Sequence, residues 1–275
     1  MTSVKLSDAK EWAIRMKEKG ISYKTISNDK RSLKAAFYTA IQDDCIRKNP
    51  FDFQLNTVIE DDTEPKVPLT PAQEESFLSF AQNDKVYQKY YDELIILLGT
   101  GLRISELCGL TDTDIDFENR IINVDHQLLR SAKTGYYIET PKTKSGIRQI
   151  PMSEKVYEAF NRVLKRRRGA KAVTIDGYSN FLFLNRDGYP KTATNYDGMF
   201  RGHAKKYNKY HEEALPKVMT PHTLRHTFCT NMANAGMNPK ALQYITGHSN
   251  ITMTLNYYAH ATFDSAKAEM LRIAA

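Results

Sequence analysis

No apolar run in this sequence approaches the roughly 20 residues that cross a bilayer. The most apolar stretch is Leu94-Ile95-Ile96-Leu97-Leu98, long enough only for a buried segment. The first residues, Met1-Thr2-Ser3-Val4-Lys5, lack the apolar centre of a secretory signal, which predicts a cytoplasmic protein. Cysteine is scarce: Cys45, Cys108 and Cys229 lie far apart, odd in number and without a CxxC pair. That excludes a disulfide framework and a cysteine zinc site, and leaves buried or free thiols in a reducing compartment. Internal repeats and low-complexity segments are also missing, so a solenoid is not expected.

The chain does have enough apolar material for a core. Its 275 residues are 41% hydrophobic and 11% aromatic, and 39 Lys+Arg against 32 Asp+Glu give a net charge of +7. This length allows one large domain or two smaller ones, and the basic balance suits an anionic partner, nucleic acid first among them. The charge is unevenly spread. Residues 1–59 carry +4, residues 60–65 carry −4, and residues 66–275 carry +7. The acidic stretch Glu60-Asp61-Asp62-Thr63-Glu64-Pro65 therefore reads as an exposed linker. It predicts an N-terminal helical domain over 1–64 and a larger domain over 65–275.

Two helices are expected upstream. One runs from about Ser7 to Lys19 with Trp12, Ile14 and Met16 as its apolar stripe. The other starts after an N-cap at Ser22, carries Ile26, Leu33, Phe37 and Ile41, and stops at Asn49-Pro50. Its other face holds Lys24, Ser27, Lys30, Arg31 and Lys34. Such a face suits a helix lying in a major groove, with cations on phosphates and the serine at base edges; an ordinary solvated face looks the same. Downstream, Thr70-Pro71 opens a helix, and an apolar helix over about 86–98 leads to Gly99-Thr100-Gly101 and a short helix from Arg103. Residues 115–151 change to a period of two and predict a small antiparallel sheet. A helix near 153–168, a strand at Phe181–Leu184 and four or five further helices complete a mainly α fold with a small antiparallel β-sheet (α+β).

Several segments carry groups suited to chemistry. In Gly99-Thr-Gly-Leu-Arg-Ile-Ser-Glu106, Arg103 opens a helix and is placed either to hold a phosphate or to pair with Glu106. In Thr220-Pro-His-Thr-Leu-Arg-His226, His222 and Arg225 share one helix face. His222 and His226 also have metal-ligand spacing, but no carboxylate accompanies them and Arg225 sits in the same turn, which argues against a metal. Gly247-His248 then precedes a helix expected to carry Tyr257 and Tyr258.

The order of these pieces is more specific than any one of them. The motifs GTGLRISELCGL, TPKTKSGIRQIPM, TPHTLRH, YITGHSNITMT and NYYAH resemble the tyrosine recombinase (phage integrase) family, most closely the integrases of conjugative transposons. Residues 1–64 resemble the family's core-type DNA-binding domain, with weaker motif support. The resemblance implies a two-domain clamp around duplex DNA that cleaves, exchanges and rejoins strands, excising and integrating a mobile element without metal, ATP or other cofactor. Tyr258 would attack the scissile phosphate, giving a 3′-phosphotyrosine and a free 5′-hydroxyl. Arg103 and Arg225 would hold the equatorial oxygens. His222 would move the nucleophile's proton, His248 would bond a phosphate oxygen, and Lys142 would protonate the leaving 5′ oxygen.

Lys144 is the alternate to Lys142, otherwise contacting phosphate near the turn. Tyr257 is the alternate to Tyr258: a nine-residue spacing from His248 selects Tyr257, whereas the Tyr-x-His ending selects Tyr258 (Tyr258-Ala259-His260). Glu106 and His226 would support Arg103 and the His-x-x-Arg helix. The run Arg162, Lys165, Arg166, Arg167, Arg168 and Lys171 reads as a solvated helix end. A tail patterned on Ala266, Met270, Leu271 and Ile273 would dock on a neighbouring subunit of a tetramer or pack in cis. Partners would be double-stranded DNA and copies of the chain, with room for an accessory DNA-bending protein.

Three other readings compete with this one. A type IB topoisomerase shares the chemistry without a partner site. A non-catalytic DNA-binding relative would not fill all six catalytic positions. A metal-dependent transposase needs three carboxylates, and Asp112, Asp114 and Asp116 are too tightly clustered to serve.

Overall fold

The computed structural model describes residues 4–63, 67–141, 143–167, 173–211, 214–216, 218–258 and 270–271. The chain divides into two compact units, Met1–Lys66 and Val67–Ala275.

The first unit is built on α1 (Leu6–Glu18) and α2 (Tyr23–Gln42). Ser22 caps α2 through its hydroxyl, which accepts from Thr25 N–H at 3.3 Å. The buried line of α1 is Ala9 and Ala13, while Ile14 faces solvent, because Trp12 and Met16 already flank the small core of Ile26, Leu55 and Ile59. Helix α2 stops well short of Asn49. Asp44 adopts φ +55°, Asp44 N–H bonds Ile41 O at 3.1 Å, and Cys45 N–H bonds Ala40 O at 2.9 Å. This is a Schellman ending with Asp where glycine is usual, so no glycine marks it in the sequence.

The second unit is wound around one apolar helix. Thr70 and Pro71 open α3 (Pro71–Asn83) through a reciprocal cap with Gln73. A 3₁₀ turn over Gln88–Tyr90 then delays α4, which spans Tyr91–Thr100. Helix α4 is buried almost all round, as its continuous apolar sequence requires. It packs against α6 (Glu154–Arg167) and α8 (Pro221–Asn234). Leu97 is fully enclosed, and its truncation to alanine would cost about 2–5 kcal/mol. Gly101 ends α4 with φ +63°, and α5 (Ile104–Gly109) follows after two residues.

Among the described residues the strands form two small antiparallel sheets rather than one. β1 (Ile115–Asp116), β2 (Ile121–Val124) and β5 (Arg148–Pro151) make a sheet of order β1-β2-β5, in which Val124 faces Arg148 and Ile122 faces Ile150. β3 (Gln127–Ser131) and β4 (Gly135–Glu139) form a separate hairpin. Residues 181–184 are extended and buried, but they make only isolated bridges, Thr111 with Phe181 and Leu184 with Pro190. The strand expected there is absent because no neighbouring chain continues the ladder.

The helical remainder is α7 (Ala193–Tyr210), α8, α9 (Pro239–Thr246) and α10 (Ile251–Leu255). Tyr257 and Tyr258 lie in the turn after α10 rather than on a helix. Of the tail pattern, only Met270 and Leu271 are described, and Ala266 and Ile273 lie outside the described residues. Among the described residues, no helix is long and apolar enough to cross a membrane.

The basic end of α6 is more structural than its sequence suggests. Arg162 and Arg166 bond the two oxygens of Asp92, a buried carboxylate, at 2.8 and 2.6 Å. Arg167 Nε donates to Phe181 O at 2.5 Å. Arg162 and Arg166 remain exposed as the solvated reading expects, and they also supply the partners that a carboxylate taken out of water requires. Arg168 and Lys171 lie outside the described residues.

Candidate active site

Three consecutive carbonyls at the end of α9 organise the site. The last carbonyls of a helix have no partner within it, and the helix dipole makes that end negative. Here each one holds an arginine. Ile245 O accepts from Arg148 Nε at 2.6 Å, Thr246 O from Arg225 Nη2 at 2.5 Å, and Gly247 O from Arg103 Nη2 at 3.0 Å. Gly247 caps α9 at φ +64°. A Cβ there would lie 2.9 Å from Ser145 O and 3.1 Å from Arg148 Nη1, so this junction admits only glycine without displacement.

Arg103 is the N-cap of α5. Glu106 holds it twice, accepting its backbone N–H at 2.8 Å and its Nη1 at 2.7 Å. The Arg103 side chain is still 38% exposed, which leaves N–H groups available to a ligand. Arg225 is buried, and its Nη1 also donates to Gly101 O at 2.5 Å. Burial, and then the Arg103 charge, push its pKa down to about 10, which keeps it cationic at neutral pH. His222 is exposed one turn before it on α8.

His248 is buried beside these cations. Burial lowers its pKa to about 4, with Arg225, Arg103, Arg148 and His222 adding to the shift. Its imidazole is therefore neutral at physiological pH. Nδ1 lies 3.0 Å from Thr254 Oγ1. With the threonine hydroxyl donating, Nε2 carries the proton and can donate to an anion.

The two tyrosines face different partners. The Tyr257 ring meets His226 edge-on at 4.9 Å and stacks with His248 at 6.4 Å. Its hydroxyl bonds Cys229, and burial raises its pKa to about 12. The Tyr258 hydroxyl donates to Met237 O at 2.5 Å, and burial raises its pKa as well. Each hydroxyl is thus engaged within the protein in this state. Lys142 lies outside the described residues. Lys144 is exposed in a 3₁₀ turn over Lys144–Gly146, the turn whose Ser145 carbonyl abuts Gly247.

Sequence reasoning passed over Arg148. It is 3% exposed and grips Glu106 with two bonds, Nη1 to Oε1 at 3.0 Å and Nη2 to Oε2 at 2.8 Å. The available signal was parity: Arg148 stands two residues from Ile150, on the inward face of a strand.

A separate group, Asp114, Asp125 and His126, gathers ligand atoms within 4.8 Å, but these atoms already have partners. His126 Nδ1 meets Asp125 at 2.6 Å and Nε2 meets Gly109 O at 2.8 Å. Asp114 accepts from both the N–H and the hydroxyl of Thr111. His126 thereby ties the link between β2 and β3 to the end of α5.

In the first unit, Ser27, Lys30, Arg31 and Lys34 line a shallow concavity of about 640 Å³ together with Gln54 and Asn56. Lys24 is exposed and is not among the residues lining it. Lys30 departs from the expected outward face. It is largely buried, with its ammonium 4.5 Å from the centre of the Phe53 ring, because its aliphatic stem covers the small core. Lys34 pairs with Asp52 at 2.5 Å.

Comparison with known proteins adds four findings. The model of the phage integrase family matches residues 68–265. The transposase from transposon Tn916 of Enterococcus faecalis is 69% identical over 271 residues, covering 98% of this chain and 67% of that protein. Among solved structures, the Tn1549 transposon integrase in complex with a circular intermediate DNA is 77% identical, with a TM-score of 0.94 over 99% of this chain and 86% of that one. A lambda integrase dimer bound to a core site shares the fold, with a TM-score of 0.62 at 16% identity over 94% of this chain and 65% of that one.

Proposed function

The chain belongs to the phage integrase family, and from that premise we propose that it excises and integrates a mobile element of the conjugative transposon kind. It does so by cutting and rejoining duplex DNA through a covalent 3′-phosphotyrosine. The observation that carries this reading is the pair of guanidiniums, Arg103 and Arg225, bonded to neighbouring carbonyls with the neutral His248 beside them. Two fixed cations and a neutral N–H donor suit a phosphate whose charge grows on its equatorial oxygens in the transition state.

In the proposed reaction the Tyr258 oxygen attacks phosphorus, and the bond from phosphorus to the 5′ oxygen breaks. His222 accepts the tyrosine proton, and Lys142 or Lys144 gives a proton to the departing 5′ oxygen. Lys142 is assigned this role and Lys144 a contact to the nearby phosphate. A 5′-hydroxyl from a partner strand then attacks the phosphotyrosine and releases Tyr258, so the phosphodiester energy is conserved without ATP. Arg103, Arg225 and His248 hold the phosphate through both steps. Tyr258 must leave Met237 O to reach it.

Residues 65–275 form the catalytic domain in this reading. Residues 1–64 add DNA contacts through Ser27, Arg31 and Lys34, with Lys24 and Lys30 as flanking cations. The enzyme works in the cytoplasm, on duplex DNA, as a tetramer linked through its C-terminal tail.

The test is a nicked duplex bearing the end of the element, incubated with the protein in EDTA and then denatured. A covalent adduct is expected from the natural chain and from Tyr257→Phe, and none from Tyr258→Phe. An adduct from Tyr258→Phe but not from Tyr257→Phe would move the nucleophile to Tyr257. Absence of any adduct from the natural chain would overturn the reading.

A further inference from the structure

We propose that Arg148 is a positioning residue for strand cleavage: held out of reach of DNA, it fixes Glu106, and through Glu106 it sets the guanidinium of Arg103. This inference rests on the function proposed above and adds a residue to that site.

Geometry makes Arg148 a joint between three segments. Strand pairing with Val124 fixes its backbone. Its guanidinium reaches the end of α9 at Ile245 O, the start of α5 at both Glu106 oxygens, and the lysine-bearing turn at Gly146 O, 2.9 Å away. At 3% exposure it cannot touch a phosphate lying on the surface. Arg103, by contrast, is partly exposed and uses only part of its guanidinium on the protein. One carboxylate therefore orients two arginines, a buried one that anchors it and an open one that faces the ligand. An arginine fork is required for this, since a lysine ammonium cannot reach four acceptors in three directions.

Removing Arg148 has a definite consequence for Glu106, which is 2% exposed. Burial pushes the Glu106 carboxyl upward, and the bonds and charge of Arg148, then Arg103, hold it below the ordinary carboxylate range. The charged groups facing it are Arg103 on α5, Arg148 on β5 and, further off, Arg225 on α8. Without Arg148 the desolvation is opposed mainly by Arg103, and the pKa of the carboxyl rises. Once protonated, Glu106 no longer accepts both bonds from Arg103. While ionised, it still accepts both bonds from Arg103, although nothing then anchors the carboxylate itself. Protonation therefore takes Arg103 off its setting on Gly247 O, and the ionised form holds it in part.

The experiment compares Arg148→Gln and Arg148→Lys with the natural chain. It measures single-turnover adduct formation on the nicked duplex from about pH 5.5 to 8.5, affinity for the intact duplex, and the melting temperature. For Arg148→Gln, binding within about 2-fold and adduct formation slowed about 100-fold near neutral pH are expected. Part of that rate should return as pH rises, because the acid limb moves up by about one unit or more. Arg148→Lys should fall between the two, and it carries the test if the glutamine variant does not fold. A natural rate in Arg148→Gln overturns the proposal. So does a loss of the same factor at every pH in a folded variant, which is what a purely structural residue would give. An adduct absent from the natural chain itself sinks the proposed function instead, so the two failures are distinguishable.

Discussion

Arg225 and Arg103 are bonded to neighbouring peptide carbonyls, Thr246 and Gly247, at the end of one short helix. Their spacing is thereby set by a single peptide unit rather than by two independent loops. The two residues differ in how much structure depends on them. Arg225 is buried and satisfies Gly101 O as well, whereas Arg103 is partly exposed and leaves Glu106 still paired with Arg148 when it is removed.

That difference predicts a split between activity and stability. Arg103→Ala and Arg225→Ala should each slow adduct formation by about 100-fold or more. Arg225→Ala should also lose about 2 kcal/mol of stability, since it strips two carbonyls of a charged donor. Arg103→Ala should lose less than about 1 kcal/mol. Urea denaturation alongside the cleavage assay reads both quantities, and equal destabilisation by the two variants would show that the carbonyl bonds of Arg225 do not matter to folding.

Gly247 should tolerate no side chain. Its φ of +64° alone costs an alanine about 1–2 kcal/mol, and the new Cβ meets Ser145 O and Arg148. Gly247→Ala is expected to melt lower and to cleave far more slowly, while duplex affinity changes little. A variant that cleaves normally would mean that the lysine turn and the arginine cluster need not abut.

Much of this was legible in the sequence, for physical reasons that can be named. Thr70-Pro71, Thr220-Pro221 and Ser22 cap helices by local chemistry, so those starts were readable. Arg103, Arg225 and His248 sit at helix ends whose glycine and proline signals are local too. Arg148 was missed because an arginine in a short strand looks solvent-facing until its carboxylate partner, 42 residues away, is located. The end of α2 was missed because aspartate occupies the left-handed position that glycine usually marks. Spacing singles out Tyr257 and Tyr258, but only tertiary packing turns one ring towards His226 and the other hydroxyl towards Met237.

His203 should dominate part of the acid sensitivity of the fold. It is fully buried on α7 among Phe77, Phe80 and Tyr87, with ring centres 4.3, 5.1 and 4.9 Å away. Burial pushes its pKa down to about 4. The folded protein then keeps it neutral while the unfolded chain binds a proton below about pH 6.5. Its contribution is therefore intact above that pH and is lost as pH falls towards 4, by on the order of 2 kcal/mol. His203→Phe should flatten stability over that window, leaving the similar loss from His248. An unchanged urea-midpoint difference between about pH 7 and 4.5 would contradict this.

The last prediction concerns the first unit. Asp52 holds Lys34 by an ion pair at 2.5 Å and accepts from Tyr38 at 3.0 Å, so one of the three cations lining the concavity of α2 is already matched within the protein. If that concavity follows a phosphate backbone, DNA and Asp52 compete for one ammonium. Asp52→Asn removes the competitor without removing the cation. Duplex affinity should then rise several-fold at low salt, and the slope of log K against log salt should steepen by about one ion. Lys34→Gln should move both quantities the other way. If neither variant changes the slope, this face of α2 does not lie on DNA, and the contacts of the first unit must be sought on another surface.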